Sequence, residues 1–228
     1  YVPLNASDPE LLELPGQASG HGFGQAMALL DINGDGDPQL ILGAPGAGQP
    51  SEGANAGGVY AYALQGDQAA FSESILGGHH SWSSTDRFGH GFALGDFDGD
   101  GRQDLAVAAR KDSKPSSFDD SYANPTECAG YVALAGSVLI YRGRSAGFAS
   151  DPTWIVHAPD SYGYVDALAS GFDLDGDGRD ELAFGGQGWH DGGGFALAFG
   201  RARDSSGTLV ICDALSFEGA NPFDRLGT

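Results

Sequence analysis

One nine-residue pattern, written three times, constrains this chain more than any other feature. It reads Asp31-Ile-Asn33-Gly-Asp35-Gly-Asp37-Pro-Gln39, then Asp96-Phe-Asp98-Gly-Asp100-Gly-Arg102-Gln-Asp104, then Asp173-Leu-Asp175-Gly-Asp177-Gly-Arg179-Asp-Glu181. The first aspartates stand 65 and then 77 residues apart, and self-similarity at such a period marks a fold assembled from repeated supersecondary units. Each copy follows a glycine-punctuated apolar stretch (23–30, 88–95, 165–172) and precedes a short β-like run (40–45, 105–109, 182–186). A further run comes at 58–64, 137–141 and 195–200, and a weaker last one near 71–76, 153–157 and 208–212.

These runs are too short, and too rich in β-branched and aromatic residues, for helices. Four of them per repeat predict an antiparallel meander, and meanders repeated without crossover helices close into a propeller or stack into a solenoid. The 38 glycines agree, since glycine at that density belongs to turns and tight loops rather than element interiors. The repeats cover about 22–77, 87–158 and 164–217. Asp224-Arg225-Leu226-Gly227-Thr228 matches Asp86-Arg87-Phe88-Gly89-His90 and reads as the start of a fourth, while 10–14 is placed like the last strand of a preceding blade. The expectation is one all-β domain, 1–228, of three full blades plus the edges of others, belonging to a larger ring.

The nine-residue pattern carries its own chemistry. Positions one, three and five bring carboxylate or amide oxygens to one point, and glycines at four and six let the chain wrap around it. Position seven (Asp37, Arg102, Arg179) offers its backbone carbonyl, and position nine (Gln39, Asp104, Glu181) closes the ring. Six to eight hard oxygens in flexible geometry suit Ca²⁺ better than Mg²⁺, so three Ca²⁺ sites are expected. An EF-hand is excluded, because it needs a bidentate Glu at position twelve, where Leu42, Val107 and Phe184 stand here.

Loops of this form, introduced by Phe-Gly and left by an apolar strand ending Gly-Ala-Pro, resemble the FG-GAP repeats of integrin α-subunit propellers and their bacterial relatives. Phe23-Gly24 and Gly43-Ala44-Pro45 match best. The second repeat keeps Phe88-Gly89 but reads Ala108-Ala109-Arg110, and the third has Val165-Asp166 and Gly185-Gly186-Gln187. The resemblance implies a propeller with Ca²⁺ in the first hairpin loop of each blade, commonly of seven blades.

If the metal loops join the first and second strands, the second-to-third and fourth-to-first connections fall on the opposite rim, the better place for a ligand. That rim would carry His79, His80 and Trp82, an insert over 111–136 with Phe118, Tyr122 and Tyr131, then Tyr162 and Tyr164, then Trp189, His190 and Asp191. Exposed aromatics among polar groups favour sugar or protein recognition; the blander reading is inter-blade wedges and a capping insert. The formal charge of −20 repels nucleic acid and anionic membranes. No run of about 18 apolar residues is present, so no membrane insertion is expected. Cys128 and Cys212 permit one disulfide or two buried thiols. The expectation is a secreted, cell-surface or periplasmic adhesion or interaction module with a protein or glycan ligand; its rivals are a propeller lectin and a propeller lyase or hydrolase using a His/Asp/Tyr cluster.

Overall fold

The computed structural model describes residues 14, 16, 19–48, 56–65, 68–77, 86–112, 136–157 and 164–186, with the backbone strands at 195–199, 207–210 and 215–218. All regular structure among them is β. The first blade is β1 (Met27–Leu30), β2 (Gln39–Gly43), β3 (Gly58–Gln65) and β4 (Gln68–Leu76), an antiparallel meander in that order. The second runs β5 (Phe88–Gly95), β6 (Asp104–Ala109) and β7 (Ser137–Tyr141). A small hairpin of β8 (Gly143–Arg144) and β9 (Gly147–Phe148) follows before β10 (Trp154–His157) pairs with β7 as the blade's fourth strand. The third comprises β11 (Ala167–Ala169), β12 (Leu182–Gly186), β13 (Phe195–Phe199) and β15 (Leu215–Glu218).

One expectation fails. The run near 208–212, expected as the last strand of the third blade, forms β14 (Gly207–Val210), which pairs parallel to β10 on the outer edge of the second blade. β15 takes its place beside β13. Both runs are short and β-prone, and an edge strand with unpaired N–H and C=O groups accepts whichever run reaches it, so local pattern does not distinguish the two destinations.

The second blade is buried on both faces. In β6, Leu105, Val107 and Ala109 pack toward the first blade, in one core with its Ile41, Val59 and Ala61 and with Phe88 of β5. Ala106 and Ala108 pack toward the third, against Val165, Leu182 and Phe184. β7 repeats this, with Leu139 and Tyr141 on one side and Val138 and Ile140 on the other. Burial on both faces is why these strands read as continuous apolar runs rather than as an alternation. Strand side chains alternate, so the far face of the first blade carries Met27, Leu29, Leu64 and Phe71, all exposed.

The blades meet where glycine permits. A first side-chain carbon on Gly43 would lie 2.1 Å from the Gly89 carbonyl oxygen, so the glycine that opens Gly-Ala-Pro in one blade makes room for the Phe-Gly backbone of the next.

Between β4 and the β8–β9 hairpin lies a cleft lined by Glu73, Ser74, Ile75, Leu76, Phe148, Ala149 and Ser150. Glu73 accepts the Phe148 backbone N–H at 3.2 Å, yet burial pushes its carboxyl above the usual range and outweighs that bond. A carboxyl raised in the folded state costs nothing while protonated in both states; the cost grows as pH rises through the unfolded and then the folded value. Glu73→Gln, which keeps the acceptor oxygen, is therefore expected to raise the melting temperature at pH 7 by no more than about 2 °C. The gain should vanish below about pH 4. Paired thermal melts at the two pH values check this, and a loss of stability at pH 7 would contradict it.

Candidate metal centres

The three acidic patterns form the β1–β2, β5–β6 and β11–β12 connections, all at the same end of the blades, and they fold alike. The position-one carboxylate accepts three backbone N–H groups of its own loop. Asp31 Oδ1 takes those of Gly34 at 2.8 Å and Asp35 at 3.1 Å, and Oδ2 that of Gly36 at 2.8 Å. Asp96 does the same with Gly99, Asp100 and Gly101 at 2.7, 3.0 and 2.8 Å, and Asp173 with Gly176, Asp177 and Gly178 at 2.7, 3.1 and 2.9 Å. Asn33, Asp98 and Asp175 each accept from position five, and Asp35, Asp100 and Asp177 each accept from position seven. The wrap needs φ > 0 at positions four and six, where glycine adopts it without strain: 73° and 94°, 76° and 84°, 78° and 86° in chain order.

Position nine turns back onto position two. Gln39 Oε1 accepts the Ile32 N–H at 3.0 Å, Asp104 Oδ2 accepts the Phe97 N–H at 3.0 Å, and Glu181 Oε2 accepts the Leu174 N–H. One ligand atom from each of Asp173, Asp175, Asp177 and Glu181 lies within 4.8 Å of the others, as is true for Asp96, Asp98 and Asp104. These hard, anionic oxygen sets fit a divalent cation of the Ca²⁺ class.

The first loop differs. Its amides supply donors where the others have only oxygens: Asn33 Nδ2 donates to Asp35 Oδ2 at 2.9 Å and Gln39 Nε2 to the Asp37 carbonyl at 2.6 Å. The backbone N–H of Asp37 first, and the Asn33 amide next, hold Asp35 below its ordinary value. Asp104, fully buried, is pushed up to about 7, chiefly by burial and further by Asp98 and Asp100, against bonds from Gly143 and Phe97. Burial also raises Asp98, opposed by its bond from Asp100 and by Arg142. Arg142 Nε lies at ion-pair distance, 2.7 Å, from Asp98 Oδ2 without hydrogen-bond alignment.

The position-seven arginines do not point freely into solvent. Arg102 Nη1 donates to the Asn33 carbonyl of the preceding loop at 3.0 Å, and Arg179 lies against Gly99.

Of the residues expected on the opposite rim, His79, His80, Trp82, Tyr122, Tyr162, Trp189, His190 and Asp191 lie outside the described residues, as do Phe118, Tyr131, Cys128, Cys212, the 224–228 segment and all of 10–14 except Leu14. At that end Tyr164, expected on this rim, joins a cluster whose other members sequence reasoning missed. Arg110 stands where the first repeat has Pro45, and Asp166 where it has Gly24. The two pair across the interface of the second and third blades. The Arg110 guanidinium carbon lies 4.8 Å, and Lys111 Nζ 5.7 Å, from the centre of the Tyr164 ring. His90 sits beside them, its imidazole held low by burial first and by Arg110 next. Arg87 and Tyr164 occupy the place of Gly22 and keep its left-handed backbone, with φ of 57°, 51° and 65° respectively, at about 1–2 kcal/mol for each non-glycine residue. The available signal was a reciprocal pair of departures from one motif, proline to arginine in one repeat and glycine to aspartate in the next.

Four-stranded blades packed face to face, an acidic hairpin loop at one end of each, and glycines that let neighbouring backbones touch define an FG-GAP propeller-blade protein. The chain belongs to the FG-GAP repeat family, of integrin α type: residues 31–107 match the FG-GAP-like repeat. Human integrin alpha-7 is 33% identical over 183 residues, 78% of this chain and 13% of its own length. Human integrin alpha-IIb is 31% identical over 195 residues, 81% of this chain and 17% of its own. Mouse phosphatidylinositol-glycan-specific phospholipase D is 31% identical over 169 residues, 70% of this chain and 18% of its own. The chain thus spans less than a fifth of the length of these relatives.

Proposed function

We propose that this chain is a Ca²⁺-binding interaction module of a secreted, cell-surface or periplasmic protein, in which three hairpin-loop ions stiffen the blades and the opposite rim meets a protein or glycan ligand. The observation that carries this reading is the threefold recurrence of one oxygen-lined loop geometry at one end of the blades. Asp31, Asn33, Asp35 and Gln39, with the Asp37 carbonyl, would hold the first ion. Asp96, Asp98, Asp100 and Asp104, with the Arg102 carbonyl, would hold the second, and Asp173, Asp175, Asp177 and Glu181, with the Arg179 carbonyl, the third. A bound cation supplies the positive charge that clustered carboxylates otherwise lack. The similarity to integrins supports the adhesion setting, and the Arg110–Asp166 cluster with Tyr164 supports the rim as the recognition face. The apolar face of Met27, Leu29, Leu64 and Phe71 supports further blades on that side, from the same precursor or a partner chain, since patches of this kind are normally covered.

The test is a Ca²⁺ titration of the full chain, followed by NMR at the position-six glycine amides Gly36, Gly101 and Gly178. Affinity is tuned by ligand charge. The first loop has two side-chain carboxylates in the ring, and its amides already occupy Asp35 Oδ2 and the Asp37 carbonyl. It is expected to fill last, at a Kd roughly tenfold or more above the others. Filling of the Asp31 loop first would reverse the ranking, and no shift at any loop would remove the reading.

A further inference from the structure

We propose that the second and third metal loops bind cations cooperatively and that Asp180 couples them; this rests on the Ca²⁺ reading above. Asp180 holds position eight of the third loop, between Arg179, whose carbonyl is a ligand group, and Glu181, whose carboxylate closes the ring. It is turned onto the loop before its own. Its backbone N–H donates to the Asp96 carbonyl at 2.8 Å, and its Oδ2 accepts the Asp96 backbone N–H at 2.9 Å. Asp96 is the second loop's first ligand, the residue whose carboxylate gathers three N–H groups of that loop. One residue flanked by two ligands of one site thus clasps the backbone of the leading ligand of the next.

The space for this clasp is specific. A first side-chain carbon on Gly95 would lie 3.0 Å from both Cβ and Oδ2 of Asp180. Arg179 reinforces it, since a side chain on Gly99 would meet Arg179 Cγ and the Gly178 carbonyl oxygen at 3.2 Å. The link between the second and first loops is slighter, a single bond from Arg102 to the Asn33 carbonyl.

A cation in the third loop draws the Arg179 carbonyl and Glu181 to one point and so fixes Asp180 from both sides. Asp96 is then held before the second ion arrives, and that ion binds a loop whose ordering is already done, which is positive coupling. By linkage the second site tightens the third by the same factor. Coulomb repulsion between the two ions acts in the opposite direction, but salt screens it, with a Debye length of about 8 Å at 0.15 M. Asp180 is a positioning residue here, not a ligand.

The experiment titrates the full chain with Ca²⁺ alone in 0.15 M salt, following Gly101 for the second loop and Gly178 for the third. Asp175→Asn weakens the third site while leaving an oxygen to accept the Asp177 N–H. In the native background it is expected to weaken Ca²⁺ binding at the second loop by roughly fivefold or more. In an Asp180→Ala background the same change should matter by less than about twofold, and Asp180→Asn, which retains an acceptor for the Asp96 N–H, should restore the dependence. A merely structural Asp180 would lower the melting temperature and leave the fivefold dependence intact, which overturns the proposal. Tighter binding at the second loop when the third is disabled, the sign that Coulomb repulsion alone gives, also overturns it. Should Asp180→Ala not fold, Asp175→Asn against the native chain still decides: an unchanged second site refutes coupling and leaves Ca²⁺ binding standing. No Ca²⁺ binding at either loop of the native chain removes both.

Discussion

Chelating Ca²⁺ is expected to lower the melting temperature by roughly 10 to 20 °C. A ligand at a hundredfold excess over its Kd stabilises the folded state by about 2.7 kcal/mol per site, and 1 kcal/mol moves a domain of 150–250 residues by about 2–4 °C. The second and third loops, with four side-chain carboxylates each, supply that range between them. The physical source is local. Without a cation, Asp96, Asp98 and Asp104, or Asp173, Asp175, Asp177 and Glu181, set like charges within 4.8 Å of one another, and loops closed by three N–H groups per leading aspartate must hold them there. Calorimetric scans in Ca²⁺ and in excess chelator measure the difference, and a shift under about 2 °C would mean that the loops hold their form unaided. In that case they are acidic turns and not ion sites.

Trp154→Ala should cost about 3–5 kcal/mol, a large part of the 5–15 kcal/mol typical of a folded protein. Trp154 is 2% exposed, in the core shared by the second and third blades. Its ring also carries the Arg142 guanidinium, 5.0 Å from carbon to ring centre, and Arg142 is the cation beside Asp98 in the second loop. The substitution therefore opens a cavity between blades and frees a charge next to Asp98 of the second acidic loop. Trp154→Phe, which keeps an aromatic face for Arg142, should lose markedly less. Urea unfolding of both variants reads the effect, and a loss below about 1 kcal/mol for the alanine variant would show that the blades pack too loosely for Trp154 to matter.

The shape of the acidic loops was legible in the sequence because the hydrogen bonds that wrap each one lie within nine residues. Asp31, Asp96 and Asp173 find their N–H partners three to five positions on, and the glycines at positions four and six supply the backbone angles whatever the surroundings. The four-stranded meander was legible for a similar reason, since each strand pairs with a neighbour close in the chain and turn residues mark the breaks. Local pattern did not settle which outer edge a run would occupy. Gly207–Val210 and Leu215–Glu218 look alike as strands, and only the open edge of β10 decides that the first joins the second blade.

The rest belongs to tertiary structure alone. The second blade's runs, Leu105–Val107–Ala109 against Ala106–Ala108, belong to different cores only once blades stand on both sides of it. Arg110 meets Asp166 across 56 residues of sequence, and Asp180 meets Asp96 across 84. In the sequence Arg110 and Asp166 read as motif departures, and Asp180 is one more acid of the third loop, at position eight. What gives them roles is the packing of one repeat on the next, which brings the Pro45 position of one blade to the Gly24 position of its neighbour and lays each acidic loop on the one before. Repeats specify themselves through short-range hydrogen bonds; what passes between them depends on a rotation and a spacing that no single repeat contains.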